Sequence, residues 1–271
     1  MPELTTNDGV QIHYDDRGSG RPVVFLPGWS MSSRWFDQQA SALEDEFRVL
    51  QVDPRGHGRS GQPRYGYRLA RSAHDLNELL ESLDLQDVVV VAWSLACSSV
   101  LSFWELFRSP RVRGLVLTAF TPVMLPRHDW EWGYGDDPRD VIEAIRLDHA
   151  GFVRSFIPTL FHTYVPDEAE LSWMVGSSAQ AAPWGVEAIQ WDHFFQDWRD
   201  VLPTIDVPVL VVEGEHDKNT PWQAGRYVAD VVPDGRFELF HHSCHVPFYE
   251  ERDRFTAVLR EFLRSLPAAI P

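Results

Sequence analysis

The chain has 271 residues, 44% hydrophobic and 24% charged, which fits one large globular domain or a domain with a sizeable insertion and argues against disorder. A formal net charge of −16 repels nucleic acid and anionic membrane surfaces and gives no steering toward negatively charged substrates. Lys218 is the sole lysine, so Schiff-base chemistry and a phosphate-binding P-loop have almost nothing to stand on, and two cysteines, Cys97 and Cys244, form neither a disulfide framework nor a zinc set by themselves. The polar, acidic stretch Met1 to Val10 and the lack of a long apolar run predict no signal peptide, no membrane span and a reducing, cytoplasmic location.

In chain order, Val10 to Tyr14 alternates as a half-buried edge strand does, and Asp15 to Arg21 reads as a turn. Pro22 to Leu26 is a short core strand leading into the loop Pro27-Gly28-Trp29-Ser30 and a helix over roughly Ser33 to Asp45. Phe47 to Val52 is the next buried strand, closed by the glycine-punctuated loop Asp53 to Ser60, and Arg68 to Leu83 has helical spacing. Val88 to Val91 is a bare apolar run of the kind buried on both faces of a parallel sheet; Ser94 follows it on the turn into the helix Leu95 to Phe107. A further strand, Val112 to Ala119, completes this half. Strand and helix in this rhythm predict an α/β fold with a doubly wound, mostly parallel sheet.

The rhythm breaks between Thr121 and Asp200. That stretch has no valine-rich runs, is broken by Pro126, Pro138, Pro158, Pro166 and Pro183, and carries six of the eleven tryptophans. It reads as an α-helical insertion over the sheet, dividing the chain into core (1–121), helical cap (122–200) and core (201–271). Strands at Pro208 to Val212 and Arg236 to Phe240 then alternate with helices near Pro221 to Val231 and Arg252 to Leu266.

Ligands bind beyond the carboxyl ends of strands in such sheets. Ser94, Asp217 and His245 each follow a strand and occur in that order. A serine hydroxyl is a poor nucleophile unless an imidazole takes its proton, and the imidazole needs a carboxylate to fix its tautomer and balance its charge. The sharp strand-to-helix turn is usually written G-x-S-x-G; here Ala92 and Ala96 replace both glycines. Two preorganised N–H donors must face a developing oxyanion, and the backbones of Leu95 and Trp29 occupy the required places. Trp29, Trp93, Trp130 and Trp191 are candidate lining residues for an apolar or aromatic substrate portion. His241 and His242 read as surface residues or as supports behind the site, and no metal set is expected; His57 reads as structural, Cys97 as a buried filler.

Across its whole length the chain resembles the α/β-hydrolases, on Pro22 to Gly28, Asp53-x-Arg55-Gly56-x-Gly58-Arg59-Ser60, the Ser94 turn, Asp206-Val207-Pro208-Val209 with Gly214-x-x-Asp217, and His245 leading to Phe255. The similarity is greatest to small esterases, perhydrolases and cofactor-free haloperoxidases, and looser to acyl-carrier methyl esterases. It implies Ser94 as nucleophile, His245 as general base and acid, Asp217 as orienting carboxylate, Trp29 and Leu95 as oxyanion donors, a helical cap forming the pocket, and no cofactor. The expected activity is hydrolysis of a carboxylic ester or lactone of a small molecule through an acyl-serine. The sequence leaves the oligomeric state open. Serine at position 94 argues against haloalkane dehalogenases and epoxide hydrolases, which place aspartate there. Similarity of Leu26 to Trp29 and Arg55 to Gly58 to cofactor-free dioxygenases of 3-hydroxy-4-quinolones keeps a second reading open, with His245 as base; Thr118 to Thr121 lacks the carboxylate that reading wants. A third reading is a non-catalytic small-molecule binder on the same fold.

Overall fold

The computed structural model describes residues 3–267; Met1 and Pro2 of the polar N-terminal stretch, and positions 268–271 of the second core segment, lie outside the described residues. The first half runs β1 (Glu3–Thr5), β2 (Gln11–Arg17), β3 (Pro22–Leu26), α1 (Asp37–Leu43), β4 (Arg48–Val52), α2 (Leu69–Ser82), β5 (Val88–Trp93), α3 (Leu95–Phe107) and β6 (Val112–Thr118). Then come α4 (Pro138–Phe156), α5 (Glu168–Ala179), α6 (Pro183–Phe194), β7 (Val209–Gly214), α7 (Trp222–Val231), β8 (Gly235–Phe240), α8 (Pro247–Glu250) and α9 (Arg252–Ser265). The strands form one sheet in the order β1-β2-β4-β3-β5-β6-β7-β8, antiparallel at β1-β2 and β2-β4 and parallel elsewhere. The order reverses between β3 and β5, and a crevice opens beyond their carboxyl ends.

Every residue of β3, β5 and β7 is buried, which explains why these strands read as unbroken apolar runs rather than alternating ones. β2 extends past the expected turn at Asp15. Asp15, Asp16 and Arg17 pair with Gln51, Leu50 and Val49 of β4, and Arg48 holds Asp16 at 2.7 Å, so cross-strand charge pairing keeps a polar segment extended. β1 was not expected; only three residues long, it is a half-exposed edge strand.

Two of the prolines between β6 and β7 start α-helices. Pro138 and Pro183 open α4 and α6, where a missing N–H costs nothing. Asp137 caps α4 by accepting from the Arg139 N–H, and Asp167 with Glu170 forms a capping box on α5. α4 is broken at Asp148, whose φ of −153° is not helical; its carboxylate accepts from the Gly151 N–H and restarts the helix. α4 packs on α5 and α6, and α6 reaches α2 and α3, which joins this layer to the rest of the fold.

Candidate active site

Ser94 stands between β5 and α3 with φ of +56°, a conformation in which non-glycine residues are strained. Its N–H donates to the Thr118 carbonyl (2.8 Å) and its carbonyl accepts from the Cys97 N–H (2.9 Å), so the turn is held from both sides. Ala92 and Ala96 are buried and fit here. Cys97 fills the space beneath, its Sγ 3.4 Å from the Ala92 carbonyl, and burial pushes its thiol far above the ordinary range, leaving it protonated and unreactive.

The Ser94 hydroxyl donates to His245 Nε2 at 3.0 Å. Because a carboxylate only accepts, His245 Nδ1–H must donate to Asp217 Oδ2, at 2.7 Å. Asp217 also accepts from the Asn219 N–H, the Thr220 N–H and the Thr220 hydroxyl, which fix its plane. The loops carrying Asp217 and His245 cross so tightly that a Cβ on Gly214 would lie 1.9 Å from the Cys244 carbonyl oxygen. Gly28 comes equally near the turn: a Cβ there would meet Ser94 Cβ at 3.2 Å and the Trp93 ring at 3.3 Å. Trp29 and Leu95 both line the space over Ser94, and among the described residues neither amide donates to another group.

The Asp53 to Ser60 loop is structural. Asp53 accepts from the Ser33 and Arg59 N–H groups, and the Ser60 hydroxyl donates to the Asp53 carbonyl. Arg55 is buried in a two-pronged ion pair with Asp75. His57 donates from Nδ1 to the Arg55 carbonyl and accepts from the Ser30 N–H at Nε2; burial lowers its proton affinity, so it is a neutral prop for the Trp29 loop. Ser30 in turn donates to the Ser178 carbonyl of α5 and accepts from His149 Nε2–H of α4 at 3.1 Å.

A cleft of about 580 Å³, part of it open to solvent, lies over Ser94. Ser94, His245, Trp29 and Leu95 form its floor; Val141, Ile145, Phe152 and Phe156 of α4 and Gln190 and His193 of α6 form its roof. No charged side chain lines it among the described residues. Trp29 is clamped: its Nε1–H donates to the Val186 carbonyl at 2.8 Å, and the edges of His149, Phe152 and Phe156 pack against it.

Of the four tryptophans expected in the lining, only Trp29 is there. Trp93 is buried under the turn against Trp35 and Phe248, and its Nε1–H donates to the His245 carbonyl. It supports His245 from below and, although next to Ser94 in sequence, does not line the cleft. Trp130 sits in a separate cluster with Val123, Ala224, Trp132 and Tyr227. Trp191 is 43% exposed beside Phe195, because one step of about 100° from Gln190 turns it to the outer face of α6.

The sequence reading missed Phe152 and Phe156, whose four-residue spacing was the available signal, and His193, which no pattern marks. It also missed Glu213. This buried carboxyl accepts the Phe120 N–H at 3.0 Å, and burial, with Asp217 nearby, pushes it far above the carboxylate range. A carboxyl therefore does abut Thr118 to Thr121, supplied by the next strand, but it lies outside the cleft lining. His241 is exposed and paired with Glu215, and no group able to hold a metal ion occurs among the described residues. No helix there is long and apolar enough to cross a membrane.

Residues 21–252 match the family described as alpha/beta hydrolase fold. The chain is 32% identical to the non-heme chloroperoxidase CPO-A1 of Kitasatospora aureofaciens over 97% of this chain and 99% of that one. It is 28% identical to the bifunctional esterase/perhydrolase DCH of Acinetobacter calcoaceticus, over 98% and 100%. The solved esterase of Exiguobacterium antarcticum superposes with a TM-score of 0.92 at 29% identity, over 97% of this chain and 99% of that one. The chain belongs to the α/β hydrolase fold family and is an enzyme of that superfamily.

Proposed function

We propose that this protein hydrolyses a carboxylic ester or lactone of a small, uncharged, largely apolar molecule through an acyl-serine. The observation that carries the reading is the hydrogen-bonded chain Ser94, His245, Asp217 beside two unpartnered amides, Trp29 N–H and Leu95 N–H, at the floor of an uncharged cleft. Ser94 Oγ attacks the scissile carbonyl while His245 Nε2 takes its proton, and Asp217 stabilises the imidazolium without itself being protonated. The Trp29 and Leu95 amides receive the oxyanion. Collapse of the tetrahedral intermediate breaks the carbon–oxygen bond, and His245 returns the proton to the leaving alkoxide. Water, deprotonated by the same imidazole, then attacks the acyl carbon and releases Ser94. An apolar, uncharged cleft favours neutral substrates, since a charged group placed there would be desolvated without a partner.

The test is turnover of p-nitrophenyl butyrate. Ser94→Ala is expected to lower kcat/KM by on the order of 10⁴-fold or more with an unchanged thermal melt. Equal activity of wild type and Ser94→Ala would end the proposal, and oxygen uptake with a hydroxyquinolone that needs His245 but survives Ser94→Ala would replace it with the dioxygenase.

A further inference from the structure

The roof of the cleft holds a polar group that the proton transfers above leave unused. His193 on α6 is 4% exposed and lines the cleft, and its Nδ1 has no hydrogen-bond partner. Burial is the sole influence on its proton affinity and pushes it down to about 3, so the ring is a neutral imidazole with one donor and one acceptor nitrogen. Gln190, one turn earlier on the same face, brings an amide to the same wall.

The other polar side chains of the lining are mostly committed. The Thr121 hydroxyl donates to the Val123 carbonyl, the Thr220 hydroxyl donates to Asp217, and Tyr134 lies close to the Asp136 carboxylate. Asn219 Nδ2 lacks a partner, but Asn219 sits beside Asp217, at the reacting end. The rest of the roof, Val141, Ile145, Phe152 and Phe156, offers no hydrogen bond. An imidazole buried without partners among apolar groups is unfavourable until something bonds to it.

Resting on the ester-cleaving reading of the same cleft, we propose that its substrate is an uncharged ester or lactone bearing a second neutral oxygen function, a hydroxyl or ketone, which His193 and Gln190 bind at the roof while an apolar span lies along α4. A carboxylate at that position would face two neutral groups with no cation among the lining residues, so the handle is a neutral one.

The experiment uses ethyl esters of ω-phenylalkanoic acids of increasing chain length, each with and without a para-hydroxyl or para-acetyl group. For the length that spans the cleft, the oxygenated ester is expected to exceed its plain counterpart in kcat/KM by roughly tenfold. His193→Leu should bring that ratio close to one, and Gln190→Leu should lower it; His193→Gln, which retains a donor and an acceptor, should keep part of it. Trp191→Ala, on the outer face of α6, should leave the ratio as it was. A ratio near one in wild type at every length, or one that survives His193→Leu in a protein with an unchanged melt, overturns the proposal. Calorimetric titration of the same esters into Ser94→Ala reads the preference without turnover. If no ester is hydrolysed, the hydrolytic reading fails alone, and a His193-dependent binding preference still upholds the polar handle while its absence removes it.

Discussion

The hydrogen-bonded chain behind Ser94 and the helical layer above it treat their polar groups in opposite ways. At the strand ends the chain from Ser94 to Asp217 is satisfied bond by bond, down to the backbone amides that fix the Asp217 carboxylate. In the helical layer, Trp130 Nε1, His149 Nδ1 and His193 Nδ1 are buried without partners, and four of the six most exposed large apolar side chains, Leu147, Val165, Trp191 and Phe195, are found there. Bond-making requires groups held within a fraction of an ångström. A surface that sorts substrates has looser demands, and its loose ends are where a ligand contributes contacts.

The contrast predicts how alike substitutions diverge. Gly214→Ala, in the sheet, drives a methyl against the Cys244 carbonyl 1.9 Å away and displaces the loop bearing His245. It should cost on the order of 3 kcal/mol of stability and at least about 100-fold in kcat. Gly176→Ala in α5 meets nothing within 4 Å and should stabilise by about 1 kcal/mol through helix propensity alone. Denaturant melts and ester kinetics on the pair measure both.

An intermediate effect belongs to the joint between the two regions. His149→Leu removes the hydrogen bond from α4 to Ser30 and frees the loop that presents the Trp29 amide. kcat should fall about tenfold with little change in KM, since what is lost acts on the oxyanion and not on the bound ester. A rise in KM with kcat intact would place His149 in binding instead.

The smallest effect probes a buried carboxyl in the sheet. Glu213 is held protonated by burial, with Asp217 adding to the shift, while in the unfolded chain it ionises near its ordinary value. Between those two values the folded state binds the extra proton, so its contribution to stability is present at low pH and declines as pH rises. Glu213→Gln should therefore raise the Tm by a few degrees at pH 7 to 8, and the gain should vanish near pH 4, below the unfolded carboxyl's titration.

How legible these regions were in the sequence follows the same divide. Strands buried on both faces announce themselves, and β3 and α3 match their expected bounds residue for residue because apolar runs and a strand-to-helix switch are local signals. The order Ser94, Asp217, His245 was readable since each follows a strand. The helical layer was readable only as helical: which face of α6 meets the cleft depends on how α6 crosses α4, so Trp191 was expected inside and His193 was passed over. Trp93 shows the limit even within the sheet, because adjacency in sequence says nothing about the direction of a side chain at a turn. Glu213 follows the apolar run that ends at Val212 and reads as the start of a loop, whereas it belongs to β7, where a carboxyl survives by staying neutral.

The Trp29 loop has its anchors in the layer above. Its indole donates to α6, and Ser30 is bonded to α4 and α5. In the proposed mechanism, one of the two amides that would receive the oxyanion is thus positioned by the same helices that roof the cleft, whereas its counterpart on Leu95 belongs to α3, against the sheet. A ligand that fits α4 and α6 poorly will tilt one donor relative to the other. Discrimination will then register as a difference in turnover number between bound substrates, with the Michaelis constant a poor guide to which ester the protein is built for.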